Sequence, residues 1–212
     1  MYKVMKRIID ISFAVIFIVI FWWIYLLAYV GIKVSSPGPA IYRARRVGQN
    51  GKVFDCYKFR SMRVDSGKVR VTTLQNDDRI FSFGHFIRKT KIDEMPQILN
   101  ILKGDMSVIG PRPEDVENAE KIYVGPYRRI LEVRPGLSSP ASLYDYTHGE
   151  LCDDEETYIA KILPDKLNLE LYYVERGNIS YDFKIMFRTG YVIAAKMMGK
   201  KNFPLPEELG RV

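Results

Sequence analysis

Twenty-two consecutive uncharged residues, Ile11 to Ile32, constrain this chain more than any other feature. They include Phe13, Ile16, Phe17, Ile20, Phe21, Leu26 and Val30. A helix needs about 20 apolar residues to cross a bilayer core, so the run is long enough. A cleaved signal sequence has a shorter apolar stretch and a small-residue cleavage site. Here Trp22, Trp23 and Tyr25 stand inside the run instead. Lys3, Lys6 and Arg7 precede it, and Lys33, Arg43, Arg45 and Arg46 follow. Cytoplasmic flanks are the positive ones, and both flanks qualify. Two geometries remain open: a span with one basic flank outside, or a re-entrant helix with both flanks on one face. Re-entry must hide broken backbone hydrogen bonds, usually at Pro or a small polar residue, and the middle of this run has neither.

The rest of the 212 residues can bury a core of their own. Lys and Arg number 32 against 25 acids, a net charge of +7. Such a balance suits nucleic acid, anionic lipid or a phosphorylated small molecule. No nucleic-acid recognition motif accompanies the charge, so nucleic acid is not an expected partner. Cys56 and Cys152 are far apart, and His85 and His148 are scattered. They supply neither a disulfide framework nor a zinc site, and they fit a reducing compartment.

The expected fold is α+β. Residues 1–36 form the hydrophobic helix. Residues 37–212 form a small cytoplasmic domain with a β-hairpin, several helices and an amphipathic interfacial helix near 181–201. Ser35-Ser36-Pro37-Gly38-Pro39 marks the boundary. Asn50-Gly51 between two apolar-rich runs predicts the hairpin. Residues 64–78 are polar and read as a loop. Ile92, Met95, Leu99 and Leu102 share one face of a helix that Gly104 ends. Pro96 is tolerated only in its first turn, which puts Asp93 and Glu94 at the helix start. Helices are also expected over Asp115–Tyr123 and Asp153–Leu163, and Gly110-Pro111-Arg112-Pro113 must be extended. Phe183, Met186, Phe187, Ile193 and Met197 share a helical face near Lys184, Arg188, Lys196, Lys200 and Lys201. That pattern suits an interfacial position on anionic lipid, or a helix packed on the core.

Asp93 and Glu94 have a plain reading, since acids in a first turn offset the helix dipole. Their surroundings favour a second one. Lys58, Arg60, Arg88, Lys91 and Arg112 are placed to meet phosphate at a helix start. The acids supply hard oxygen ligands for Mg²⁺ and a nucleophile, while the cations absorb charge on phosphoryl oxygens. The chain has no Walker A loop, GxGxxG or GxSxG, which removes the common NTPase, dehydrogenase and hydrolase readings.

KIDEMPQILNILKGDMSVIGPRP closely resembles the bacterial sugar transferase family, the monotopic phosphoglycosyl transferases. SSPGPAIYRARRVGQNG, YKFRSM, NDDRI and FIRKTKIDE precede it, VRPG follows, and the likeness resumes at LELYYVE and YDFKIMFRT. The resemblance implies transfer of a sugar-1-phosphate from a UDP-sugar to undecaprenyl phosphate at the cytoplasmic membrane, with loss of UMP. Asp93 would carry the sugar-phosphate covalently, and Glu94, with Asp93, would meet Mg²⁺. Pro111, Arg112 and Pro113 would contact the nucleotide side, and a homo-oligomer is compatible. The family's hydrophobic helix is re-entrant, which favours that geometry here. This chain departs at Phe21-Trp22-Trp23-Ile24, where a Ser-Pro break is common. It departs again over residues 137–168, where family contacts do not transfer. A catalytically idle membrane scaffold is the competing reading from another class.

Overall fold

The computed structural model describes residues 2–64, 79–149 and 155–211. Residues 65–78 of the expected loop, and Cys152, Asp153 and Asp154, lie outside the described residues.

The apolar run lies within one uninterrupted helix, α1 (Tyr2–Ser35), 34 residues long. By length and composition alone it could cross a membrane. The bounded apolar core of the chain packs on one side of it. Ala14, Ala28 and Ile32 are buried there. Polar side chains also anchor it. Asp10 accepts from the Ser107 hydroxyl (2.8 Å) and the Val108 N–H (2.9 Å). Arg7 donates to the Leu102 carbonyl (3.0 Å), and Tyr25 to the Met95 carbonyl (2.8 Å).

The hairpin forms as its turn residues require. Antiparallel strands β1 (Ile41–Val47) and β2 (Val53–Phe59) are joined through Gln49–Gly51. Asn50 (φ 57°) and Gly51 (φ 76°) adopt the left-handed conformation that these two residue types tolerate best. Asn100 seals the free edge of β2. Its buried amide donates to the Asp55 carbonyl (2.7 Å) and accepts from the Tyr57 N–H (3.0 Å), imitating a neighbouring strand.

Helix α2 (Ser82–Lys89) leads to a 3₁₀ turn (Ile92–Gln97) and then α3 (Ile98–Lys103), ended by Gly104 at φ 95°. The expected single helix is therefore two pieces. The tighter turn shifts the register, so Ile98 and Ile101 are buried while Leu99 is exposed. Strand β3 (Ser107–Ile109) pairs in parallel with β4 (Gly136–Ser138). A Cβ on Gly136 would sit 2.1 Å from the Gly110 nitrogen, so the GPRP and VRPG segments cross where only glycine fits. Between them, α4 (Val116–Ile122) follows Asp115 as expected. Helix α5 (Pro140–His148) begins at Ser139, whose hydroxyl accepts from the Ser142 N–H (2.9 Å).

The helix expected to end at Leu163 continues. A short α6 (Glu155–Thr157), a π turn (Tyr158–Ile162) and α7 (Leu163–Arg176) follow one another directly. Proline lacks an N–H and crowds the carbonyl four residues back, and the wider turn just before Pro164 absorbs both defects. Finally α8 (Ile179–Met197) is capped by Asn178. Its face is divided: Ile185 and Val192 enter the core, while Phe187 and Tyr191 are exposed.

Candidate active site

Four segments meet around Asp93 and Glu94. Lys91 enters the 3₁₀ turn in a left-handed conformation (φ 57°), which costs a residue with a side chain about 1 kcal/mol. That bend directs the next residues inward, and Pro96 helps fix the turn. Asp93 is buried and Glu94 is partly buried. From β2, Lys58 reaches the Glu94 carboxylate at 3.4 Å. From the segment after β3, Arg112 reaches the same oxygen, Oε1, at 3.1 Å. Both contacts fall on the one oxygen, Oε1.

The two carboxylates differ electrically. Burial and the adjacent Glu94 charge push Asp93 up to about 6, against the pull of Lys58, Arg88 and Lys91. Its Oδ1 is buried with no partner among the described residues. Burial works against the Glu94 charge too, but Arg112, Lys58 and Lys91 outweigh it and hold the carboxyl well below the usual range. Glu94 in turn raises the Arg112 guanidinium. The site thus pairs an ionised, cation-clamped acid with a destabilised one whose free oxygen lacks a proton donor.

Lys58, Arg112, Asp93 and Glu94 are brought together as the sequence suggested. Arg88 lies close enough to act on Asp93 and touches the Ser61 hydroxyl at 3.5 Å. Arg60 is a correction. Its guanidinium donates to the Pro39 carbonyl (2.6 Å), the Ser36 hydroxyl (2.7 Å), the Ser36 carbonyl (2.8 Å) and the Met62 carbonyl (3.2 Å). It lies over the Phe81 ring. Arg60 has just left strand β2, so the alternation that aims Lys58 at the acids no longer governs it. It ties down the turn after α1 through these four bonds.

Pro111 and Pro113 bracket Arg112, and the backbone of Arg112 is held from both sides. Its N–H donates to Glu170 Oε1 (2.9 Å), and its carbonyl accepts from the Tyr123 hydroxyl (3.3 Å). Glu170 also accepts from the Ser139 hydroxyl at 3.0 Å. Glu170 is buried, its Oε2 has no described partner, and burial pushes it up to about 7. Sequence reasoning missed this residue. Its signal was an acid inside the inward stripe of α7 formed with Leu167 and Tyr173.

Among the described residues no group of three acids, histidines or cysteines forms a metal cage. Two carboxylates on successive residues remain, Asp93 and Glu94, and Asp93 Oδ1 is unpartnered. Mg²⁺ needs only one or two carboxylates when substrate phosphates and water complete its shell, so the donor set fits that ion.

The model for bacterial sugar transferases matches residues 1–196. The chain belongs to the bacterial sugar transferase family. It is 33% identical over 195 residues to a UDP-glucose:undecaprenyl-phosphate glucose-1-phosphate transferase of Escherichia coli K12, covering 88% of this chain and 39% of that protein. A UDP-N-acetylgalactosamine-undecaprenyl-phosphate N-acetylgalactosaminephosphotransferase of Aeromonas hydrophila is 40% identical over 193 residues, covering 89% and 43%. An undecaprenyl-phosphate galactose phosphotransferase of Salmonella typhimurium LT2 is 34% identical over 208 residues, covering 90% and 40%. The chain spans about two fifths of the length of these family members. Their names carry three different sugars, so membership does not choose one.

Proposed function

We propose that this family member transfers a sugar-1-phosphate from a UDP-sugar to undecaprenyl phosphate, at the cytoplasmic face of a bacterial inner membrane. It would begin assembly of a surface glycan. The observation that carries this is the buried, unpartnered Asp93 oxygen beside a Glu94 held ionised by Lys58 and Arg112. The ionised Asp93 carboxylate attacks the β-phosphorus of the UDP-sugar. The bond from that phosphorus to the bridging oxygen breaks, and UMP leaves. An acyl phosphate joins Asp93 to the sugar-phosphate. A phosphate oxygen of undecaprenyl phosphate then attacks the same phosphorus, forms the lipid diphosphosugar and frees the carboxylate.

Asp93 suits the first step because its carboxylate is poorly stabilised by its surroundings. Arg112 and Lys58 suit the charge that develops on the phosphoryl oxygens, and the two prolines and Glu170 hold Arg112 at a fixed height. Asp93 and Glu94 would hold Mg²⁺, which supplies charge neutralisation at the diphosphate. Membranes containing the full chain, given undecaprenyl phosphate and a panel of UDP-sugars, should release UMP with at least one sugar. Silence across the panel, beside an active control enzyme, would rule the reading out.

A further inference from the structure

Two cations converge on one ring beside the Asp93–Glu94 pair. The Lys91 ammonium stands 4.3 Å from the centroid of the Tyr146 ring, and the Lys196 ammonium 3.8 Å from it. The two charges are therefore at most about 8 Å apart, close enough for both to meet the oxygens of one phosphate. They come from distant parts of the chain. Lys91 precedes the 3₁₀ turn of Asp93, Tyr146 lies on α5 and Lys196 on α8. All three side chains are half-buried. Like charges held that close repel, and an aromatic face offsets only part of the repulsion. An anion shared between them offsets more.

Local contacts hold both cations in place. Lys196 donates to the Tyr146 carbonyl, which keeps its ammonium at the ring. Lys91 sits at the left-handed bend that sets the turn, near enough to pull on the Asp93 and Glu94 carboxyls. An anion on this pair therefore lies next to the proposed nucleophile. It is held by other elements than those that bring Lys58 and Arg112, which come from β2 and from the segment after β3.

The surface leading away from Lys196 is apolar. Phe187, Tyr191, Ala194 and Met198 recur at helical spacing along α8 and its C-cap, with Met197 beside them, and all five are exposed. Lys200 closes the same end and donates to the Tyr191 hydroxyl at 3.0 Å. A cation pair at the head of an apolar stripe suits a phosphate carried on a hydrocarbon chain better than a soluble one.

We infer that Lys91 and Lys196, braced on Tyr146, bind the phosphate monoester of the polyprenyl acceptor, with its chain along the α8 stripe. This rests on the proposed function and adds to it the residues that receive the second substrate.

The full chain in phosphatidylcholine vesicles is titrated with undecaprenyl phosphate, using the UDP-sugar that supports turnover. Lys196→Gln keeps a donor for the Tyr146 carbonyl but removes the charge. Its KM for undecaprenyl phosphate should rise about tenfold, while its KM for the UDP-sugar shifts by less than about twofold. Lys196→Arg restores the charge and should recover most of the loss. An acceptor KM unchanged in Lys196→Gln, or an equal rise for both substrates, would overturn the inference. A second readout needs no turnover. Acetylation of Lys91 and Lys196 by acetic anhydride, mapped by peptide mass, should fall when undecaprenyl phosphate is added. Inorganic phosphate or phosphatidylglycerol should not produce that protection. If either protects equally well, the site is a general anion site and the acceptor assignment fails. Protection without UMP release in the wild type refutes only the chemistry, and UMP release without protection refutes only the acceptor site.

Discussion

Asp93 and Glu94 are neighbours in sequence and opposites in electrostatics. Since Asp93 must be ionised to attack, the rate of UMP release should rise through about pH 6 and then level off. The stability sign follows from the same shift. An acid raised above its unfolded value favours the protonated fold, so its ionisation weakens the fold as pH climbs from 4 towards 7. Asp93→Asn should therefore abolish turnover yet stabilise the protein at pH 8, by at most about 3 kcal/mol, with the gain fading near pH 4. Thermal melts at the two pH values, beside a turnover assay, check this. A variant that is active, or destabilised at pH 8, would contradict it. Lys58 and Arg112 were legible as cations near the acids from the hairpin strand and the Pro bracket. Arg60 and Glu170 were not, because each role depends on contacts with segments distant in sequence: the 36–39 turn for one, the Arg112 backbone for the other.

Local chemistry marked the elements better than it marked their geometry. Asn50-Gly51 announced the hairpin, Gly104 the end of α3, and Asp115 the start of α4. The 3₁₀ turn at Asp93 was hidden because Pro96 suits the first turn of either helix type, and only packing decides which face is buried. The helix expected to end at Leu163 runs on because the π turn before Pro164 relieves the proline's clash. Helix α5 has a start signal in Ser139-Pro140, but its interior lacks a clear apolar face to mark it as a helix. The crossing of Gly110 and Gly136 gives a test at this scale. Gly136→Ala places a methyl on the Gly110 backbone and must push the Arg112 segment aside. It should cost about 2–3 kcal/mol of stability and more than tenfold in turnover. Chemical denaturation and UMP release measure both, and a wild-type-like result would show that the crossing does not hold Arg112.

At the scale of the whole molecule, the long apolar helix, the hairpin and the GPRP segment form one packed unit. Asp10 of α1 caps β3, β3 leads to Arg112, and Arg112 grips Glu94, so the long apolar helix is connected to the Asp93–Glu94 pair. The sequence made the mixed α+β class and the long apolar helix plain. It could not show that the helix runs along the domain, because both of its faces are apolar and periodicity cannot separate lipid from protein. It also leaves the sugar open, as relatives named for glucose, N-acetylgalactosamine and galactose are all similar to this chain. The central claim is that Asp93 carries the sugar-phosphate. The most direct measurement mixes the enzyme with the UDP-sugar that supports turnover, without undecaprenyl phosphate, and maps mass adducts after an acid quench. The account predicts a sugar-phosphate adduct on the peptide containing Asp93, formed with an equal amount of UMP. UMP release only when the lipid acceptor is present, with no adduct on Asp93, would contradict it.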